Sequence, residues 1–222
     1  MAWLVWLSGI FGVAYMIGSF PTGYLAGRLL KGIDIREHGS GSTGATNVLR
    51  VLGKGPGAAV LIIDILKGAS VVILTRWFSS LPSIGIPHPD AISTASWLPW
   101  LAVAAGFGVL LGHSRSIWLG FSGGKSVASG LGVLAALHWP TAAIALSIFA
   151  IALATSRIVS LSSLVTAVTI PIATIALSRP LPMVLFVLAA ASYIVVAHRT
   201  NIQRIVDGTE FKLGQKGKAA RE

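Results

Sequence analysis

The sequence predicts an all-α membrane protein, a polytopic bundle of seven transmembrane helices with the N-terminus outside and the C-terminus in the cytoplasm. Three observations carry this prediction. Of the 222 residues, 54% are hydrophobic and 11% charged, against about 25% charged in a soluble domain, and the mean hydropathy is +0.80. Such a chain has too little polar surface to cover a water-soluble globule, so lipid must serve as its solvent. Apolar runs of near-span length recur along it, and the basic residues crowd into alternate connections. Cysteine is absent, which excludes a disulfide framework, a thiolate nucleophile and a Cys-based metal site.

A helical span takes about 20 mostly apolar residues, within a range of about 17–25. The first run covers 2–26. Met1–Leu4 carries no basic n-region, so this run reads as a retained span rather than a cleaved signal. The second covers 58–75 and the third 97–111. The fourth, 127–137, is short and rich in small residues; a five-span arrangement with re-entrant short segments has the same parity. The last three cover 140–155, 159–177 and 181–197. The connection 79–96, with Pro82, Pro87 and Pro89, reads as an external loop. The chain reads as one domain over 1–222, with about 214–222 a flexible basic tail, and no internal repeat.

The basic residues set the orientation. Arg28, Lys31, Arg36, Arg50 and Lys54 lie in the connection after the first run, and Arg115 and Lys125 in the one before the fourth. Arg157 follows the fifth run, and six more basic residues follow Ala197. Only Arg76 and Arg179 fall on the other side. The positive-inside rule then places three polar segments on the cytoplasmic face, where residues far apart in sequence meet in one site.

The first polar segment, 39–47, reads GSGSTGATN. Its glycines, Gly41 among them, permit positive φ and close approach to a ligand, so that successive amides form an anion-binding nest. Ser40, Ser42, Thr43 and Thr46 add hydroxyls, and Arg50 offers a planar fork for phosphate oxygens. The outline GxxxxGx[ST] of a nucleotide P-loop is met, but Ala45 stands where the lysine belongs and no strand pattern precedes it. A plain glycine-serine linker is the competing reading; the flanking cations and Asn47 speak against it.

The second segment ends GFSGGKS over 120–126. Gly123 and Gly124 place Lys125 just before an apolar run, where a helix N-terminus already favours an anion. Anchoring at the membrane surface is the alternative role for this lysine. His113 opens the segment and suits a structural role better than proton transfer. In the third segment, His198 and Asn201 are three residues apart and share a face if the last span continues as a helix. Glu210 is one of only seven acids. A juxtamembrane patch for anionic lipid explains the arginines here but not the imidazole, amide and acid. Within the spans, Asp64 and Lys67 predict an inward-facing ion pair, and Ser160, Ser162 and Ser163 open the sixth run.

Taken in order, GSGSTGATNVLR (39–50), His113 through GFSGGKSVAS (ending at Ser129) and HRTNIQRIVDGTEFK (198–212) resemble the motifs of one family. It is the bacterial integral-membrane acyl-phosphate:glycerol-3-phosphate acyltransferase family, and the resemblance covers nearly the whole chain. Ser42 replaces an asparagine and Ser129 a threonine of the family pattern; both keep a hydrogen-bonding group. The resemblance implies a seven-span enzyme of the bacterial inner membrane with its site at the cytoplasmic face. It also implies acyl phosphate and glycerol 3-phosphate as substrates, with 1-acylglycerol 3-phosphate and phosphate as products. Ser40, Arg50, Lys125, Ser163, His198 and Asn201 occupy positions tied to substrate binding, joined in the expected set by Asn47 and Glu210. Gly41, Gly123 and Gly124 shape the phosphate pockets, and Lys125, His198 and Ser40 are the expected catalytic group. No cofactor, metal or nucleic acid is expected. Membrane lipids and a soluble enzyme supplying acyl phosphate are the expected partners.

The chemistry expected is electrostatic. No His-x4-Asp pair exists, since Trp118 and Gln203 stand at the fifth position after His113 and His198, and no GxSxG elbow is present. Lys125, Arg50 and the two glycine loops are expected to neutralise and orient two phosphoanions. A substrate phosphate oxygen takes the hydroxyl proton, with His198 the alternative base. Transport of an organic phosphate is the competing class; such proteins favour mid-membrane sites and inverted repeats.

Overall fold

The computed structural model describes residues 2–81, 85, 87–90 and 93–214; the tail predicted for 214–222 lies, apart from Gly214, outside the described residues, as do parts of the 79–96 loop. Ten α-helices occur among the described residues: α1 (Ala2–Gly18), α2 (Thr22–Lys31), α3 (Ala45–Leu52), α4 (Lys54–Ser79), α5 (Thr94–Ser114), α6 (Val127–Leu137), α7 (Trp139–Ser156), α8 (Val159–Ala176), α9 (Leu181–Ala197) and α10 (Arg199–Val206). Five stretches are long and apolar enough to cross a membrane: α1 with α2, α4, α5, α7 and α8. The bent pair α9–α10 makes a sixth. α6 has 11 residues, which at 1.5 Å each reach about 16 Å, roughly half of a hydrocarbon core of about 30 Å.

Two details go beyond the sequence reading. The first apolar run is not one continuous helix over 2–26. It breaks at residues 19–21 and resumes to Lys31, because Pro21 lacks an N–H and disfavours α geometry in the residue before it. The freed carbonyls find donors far along the chain. Ser116 Oγ donates to Ser19 O at 2.6 Å, and Lys67 Nζ to Phe20 O at 3.3 Å. The last span ends at Ala197, as the sequence places it, and α10 leaves at 57°.

The bundle packs through small residues, as expected where lipid supplies no hydrophobic drive between helices. α4 and α6 run so close that a Cβ on Gly68 would strike the backbone of Ser129, and one on Gly132 the backbone of Ile65. α1 and α5 meet in the same way at Gly108 and Gly112. The core around Val72, Val109, Val133 and Phe186 is closed to solvent.

A buried polar knot lies where α2, α4 and α5 converge. Asp64 pairs with Lys67 at 2.7 Å, as the sequence predicts, and both are buried. Thr22 Oγ1 donates to the same carboxylate at 3.2 Å, and His113 Nδ1 lies 3.6 Å from it. Together these contacts hold the α1–α2 break, α4 and the end of α5 as one unit, which sets the platform for the loops.

Candidate functional site

The first loop is shaped from within by Asn47. Its Oδ1 accepts from the Ser40 amide at 2.8 Å, and its Nδ2 donates to Ser42 O (2.8 Å), His38 O (3.0 Å) and Ile35 O (3.2 Å). Gly39 and Gly41 adopt positive φ, and a Cβ on Gly39 would collide with the Asn47 amide. The loop then enters α3 at Ala45, placing Ser40 and Arg50 at one opening. Asn47, of the expected substrate-binding set, lines the cavity, and its amide also holds this loop.

Arg36 ties the first loop to the second. It pairs with Asp34 at 2.6 Å and donates through Nη1 to Leu119 O and Ser122 Oγ, each at 3.2 Å. The Arg36 hydrogen bonds hold the Asp34 carboxyl down at about 2. Gly123 and Gly124 press against His113. A side chain on Gly123 would strike the His113 carbonyl and one on Gly124 the imidazole Nε2, while the Gly124 amide donates to His113 O at 3.1 Å. These glycines stand behind the cavity wall and let the chain pass. Ser126, at φ +60°, turns it into α6.

Lys125 therefore projects from a fixed turn. Its ammonium donates to Asn201 Oδ1. Asn201 Nδ2 donates to Glu210 Oε1 at 2.6 Å, Ser160 Oγ to the same oxygen at 2.8 Å, and Arg204 Nε to Oε2 at 2.6 Å. Glu210, expected to touch substrate, has both oxygens engaged and joins α8, α10 and the last loop. The hydrogen bonds from Arg204, Asn201 and Ser160 outweigh its burial and lower its pKa. The Arg50 guanidinium stacks on Phe211 at 4.4 Å, and its buried Nε finds no acceptor among the described residues. A buried donor of this kind is one a ligand oxygen would satisfy.

The three distant loops thus meet at one end of a cavity of about 300 Å³. Ser40, Arg50, Lys125, Ser163, His198 and Asn201 line its polar end, while Leu131, Phe149, Ile170 and Phe186 line the apolar remainder. Of the three serines opening α8, Ser160 is held by Glu210, Ser162 bonds back to Ile158 O, and Ser163 lines the cavity with its hydroxyl bonded only to Val159 O. Gly41, Gly123 and Gly124 do not line it.

Charge in this end is concentrated and poorly hydrated. Burial, aided by the neighbouring Arg204 and Arg50, lowers the Lys125 ammonium to about 8. Burial also lowers the Arg50 pKa. Burial and then the Lys125 charge push His198 down to about 4. Its Nδ1 sits 2.8 Å from Ile194 O, so this nitrogen carries the proton and Nε2 is left as an acceptor. Arg36, Arg204 and Phe211 are parts of the site that the sequence reading did not select. The spacing of Arg204 six residues before Glu210 is a weak signal for one of them; Arg36 leaves none.

The chain is similar to known proteins in sequence and fold. The family model described as Glycerol-3-phosphate acyltransferase matches residues 8–208. A glycerol-3-phosphate acyltransferase of Trichormus variabilis is 50% identical over 214 residues, covering 96% of this chain and 95% of its own. Glycerol-3-phosphate acyltransferase 2 of Rhizobium johnstonii is 53% identical over 215 residues, covering 95% and 98%. Among solved structures, PlsY, an integral membrane glycerol 3-phosphate acyltransferase in its glycerol 3-phosphate form, superposes with a TM-score of 0.81 at 30% identity, covering 94% of this chain and 96% of that one. Its lysophosphatidic acid form gives 0.78.

Proposed function

The chain belongs to the glycerol-3-phosphate acyltransferase family, and from this premise we propose that it moves a fatty acyl group from acyl phosphate to the 1-hydroxyl of sn-glycerol 3-phosphate. The products are 1-acylglycerol 3-phosphate and inorganic phosphate, the first acylation step of phospholipid biosynthesis. One observation carries the reading. A cluster of cations and hydrogen-bonding side chains closes one end of a cavity whose remainder is apolar, which suits an anionic headgroup joined to a hydrocarbon tail.

In the reaction the glycerol oxygen bonds to the acyl carbon, the bond from that carbon to the phosphate oxygen breaks, and the hydroxyl proton leaves on a phosphate oxygen. Phosphate is already a good leaving group, so the enzyme's task is to hold two phosphoanions together. Fixed orientation supplies about 7–11 kcal/mol in favourable cases. Lys125 and Arg50 offset the repulsion, with Ser40, Ser163 and Asn201 binding oxygens around them. His198 is neutral at pH 7, and Nε2 accepts a hydrogen bond that orients the glycerol moiety. The loops face the cytoplasm of a bacterial inner-membrane enzyme with its N-terminus outside, and a soluble enzyme supplies the acyl phosphate.

The test uses purified protein in detergent with palmitoyl phosphate and glycerol 3-phosphate. Lysophosphatidate and phosphate should appear in equal amounts, and palmitoyl-CoA should not replace the donor. Absence of product with palmitoyl phosphate overturns the reading. Transport of an organic phosphate needs a sealed compartment and predicts no product here.

Two further outcomes follow from the electrostatics. Lys125 acts as a cation, and kcat/KM reports the free enzyme. It should therefore fall as pH rises through about 8, where the ammonium loses its proton. A profile flat to pH 9.5 sinks this assignment. His198→Gln keeps a hydrogen-bonding side chain without an imidazole. If a substrate phosphate takes the proton, kcat should drop by less than about tenfold; a loss of about 10²–10⁴, as for a missing general base, would identify His198 as that base.

A further inference from the structure

The apolar part of the cavity reaches a similar depth along three helices. On α9 its deepest lining residue is Phe186, twelve positions before His198, or about 18 Å along the axis at 1.5 Å per residue. On α8 it is Ile170, ten after Ser160, and on α6 it is Leu134, nine after Lys125; these counts correspond to about 15 and 14 Å by the same rise. α7 lines the same apolar part with Ala145, Leu146 and Phe149. A membrane leaflet offers about 15 Å of hydrocarbon, half of the full core. The cavity is thus as deep as one lipid acyl chain is long.

Its floor is closed while its sides are not. Leu61 and Leu146 on the walls are 43% and 53% exposed, whereas Phe186 is 2% exposed. Behind Phe186 lies Phe107, ring against ring at 5.0 Å and 65°. Gly106 makes room for the same ring, since a Cβ there would come within 3.0 Å of Phe186 Cε2. The ring is wedged from behind by α5 and cannot retreat before a longer chain.

We propose that Phe186, with Ala145 of α7 lining the same cavity, forms the stop that sets the longest acyl chain the enzyme accepts. The proposal rests on the acyl-transfer reading above and adds to it a residue that decides substrate length. A chain enters through the open side, lies along α6, α8 and α9 with its phosphate at Lys125, and meets the Phe186 ring with its terminal methyl.

The experiment measures kcat/KM for lauroyl, palmitoyl and stearoyl phosphate in the unaltered enzyme and in two variants with opposite geometry. Phe186→Leu opens the floor toward Gly106 and should raise the stearoyl-to-palmitoyl ratio by about tenfold, the worth of two further buried methylenes. Ala145→Phe raises the floor and should lower the palmitoyl-to-lauroyl ratio by a similar factor. A merely structural role lowers all three substrates in parallel and moves neither ratio. Unchanged ratios in both variants, or ratios moving in the same direction, overturn the proposal and show the chain leaving sideways past Leu61 and Leu146, while acyl transfer stands. Failure of the unaltered protein to use any of the three donors instead overturns the functional reading beneath it.

Discussion

Lys125→Ala is expected to lower kcat/KM for acyl transfer by about 10²–10³, the range found when one preorganised donor to developing charge is removed. The lysine is placed for this and for little else. It leaves a turn whose two glycines are packed against His113, it is largely buried, and it touches Asn201. Near it the charge of two phosphoanions must be tolerated in a space where water screens weakly. Arginine at the same position retains the charge but brings a planar fork where a point charge fits, so Lys125→Arg should recover only part of the loss. Both variants should elute from size exclusion in detergent as the parent does. Turnover of Lys125→Ala within tenfold of the parent would remove the electrostatic account.

Asp64→Ala is expected to destabilise the protein by about 3–5 kcal/mol, because it leaves the Lys67 ammonium buried without its partner. The same substitution releases Thr22 and the carboxylate side of His113, so the α1–α2 break and the glycine-lysine turn loosen together. The Asp64→Leu/Lys67→Met pair removes both charges and should recover most of the loss, as apolar replacements of buried ion pairs often do. The thermal unfolding midpoint in detergent reads both. A double variant as unstable as the single one would show that the charges are not the source of the effect.

Much of this site is legible in the sequence because its chemistry is local. Glycines beside hydroxyls, a lysine before an apolar run, and a histidine and asparagine after another announce themselves by type and spacing. The Asp64–Lys67 pair is legible for the same reason, being one helical turn. What the sequence does not disclose are partnerships across elements. Nothing around Arg36 says that it will reach Leu119 and Ser122, and nothing in Glu210 says that three donors will surround it. Asn47 reads as a ligand because amides bind phosphates, and it lines the cavity; that its amide also ties Ile35, His38, Ser40 and Ser42 into the loop is not written in its type or spacing. The break at residues 19–21 is hidden because Pro21 sits in an otherwise apolar run, and hydropathy averages over it. The bend at His198 is hidden because His198 and Asn201 keep the spacing that a continuing helix would give.

The interruption of the first span has a bearing on how the protein is made. The Phe20 carbonyl has a local donor in the Thr22 amide at 3.0 Å, but the Ser19 carbonyl is satisfied by Ser116, which leaves the ribosome later. Ser116 emerges 97 residues after Ser19 (116 − 19), or about 5–20 s afterwards at ordinary rates of synthesis. During that interval the Ser19 peptide oxygen lacks its donor. The nascent segment must then keep this oxygen at a hydrated depth, near the headgroups or within the translocation machinery, until the chain just beyond α5 arrives.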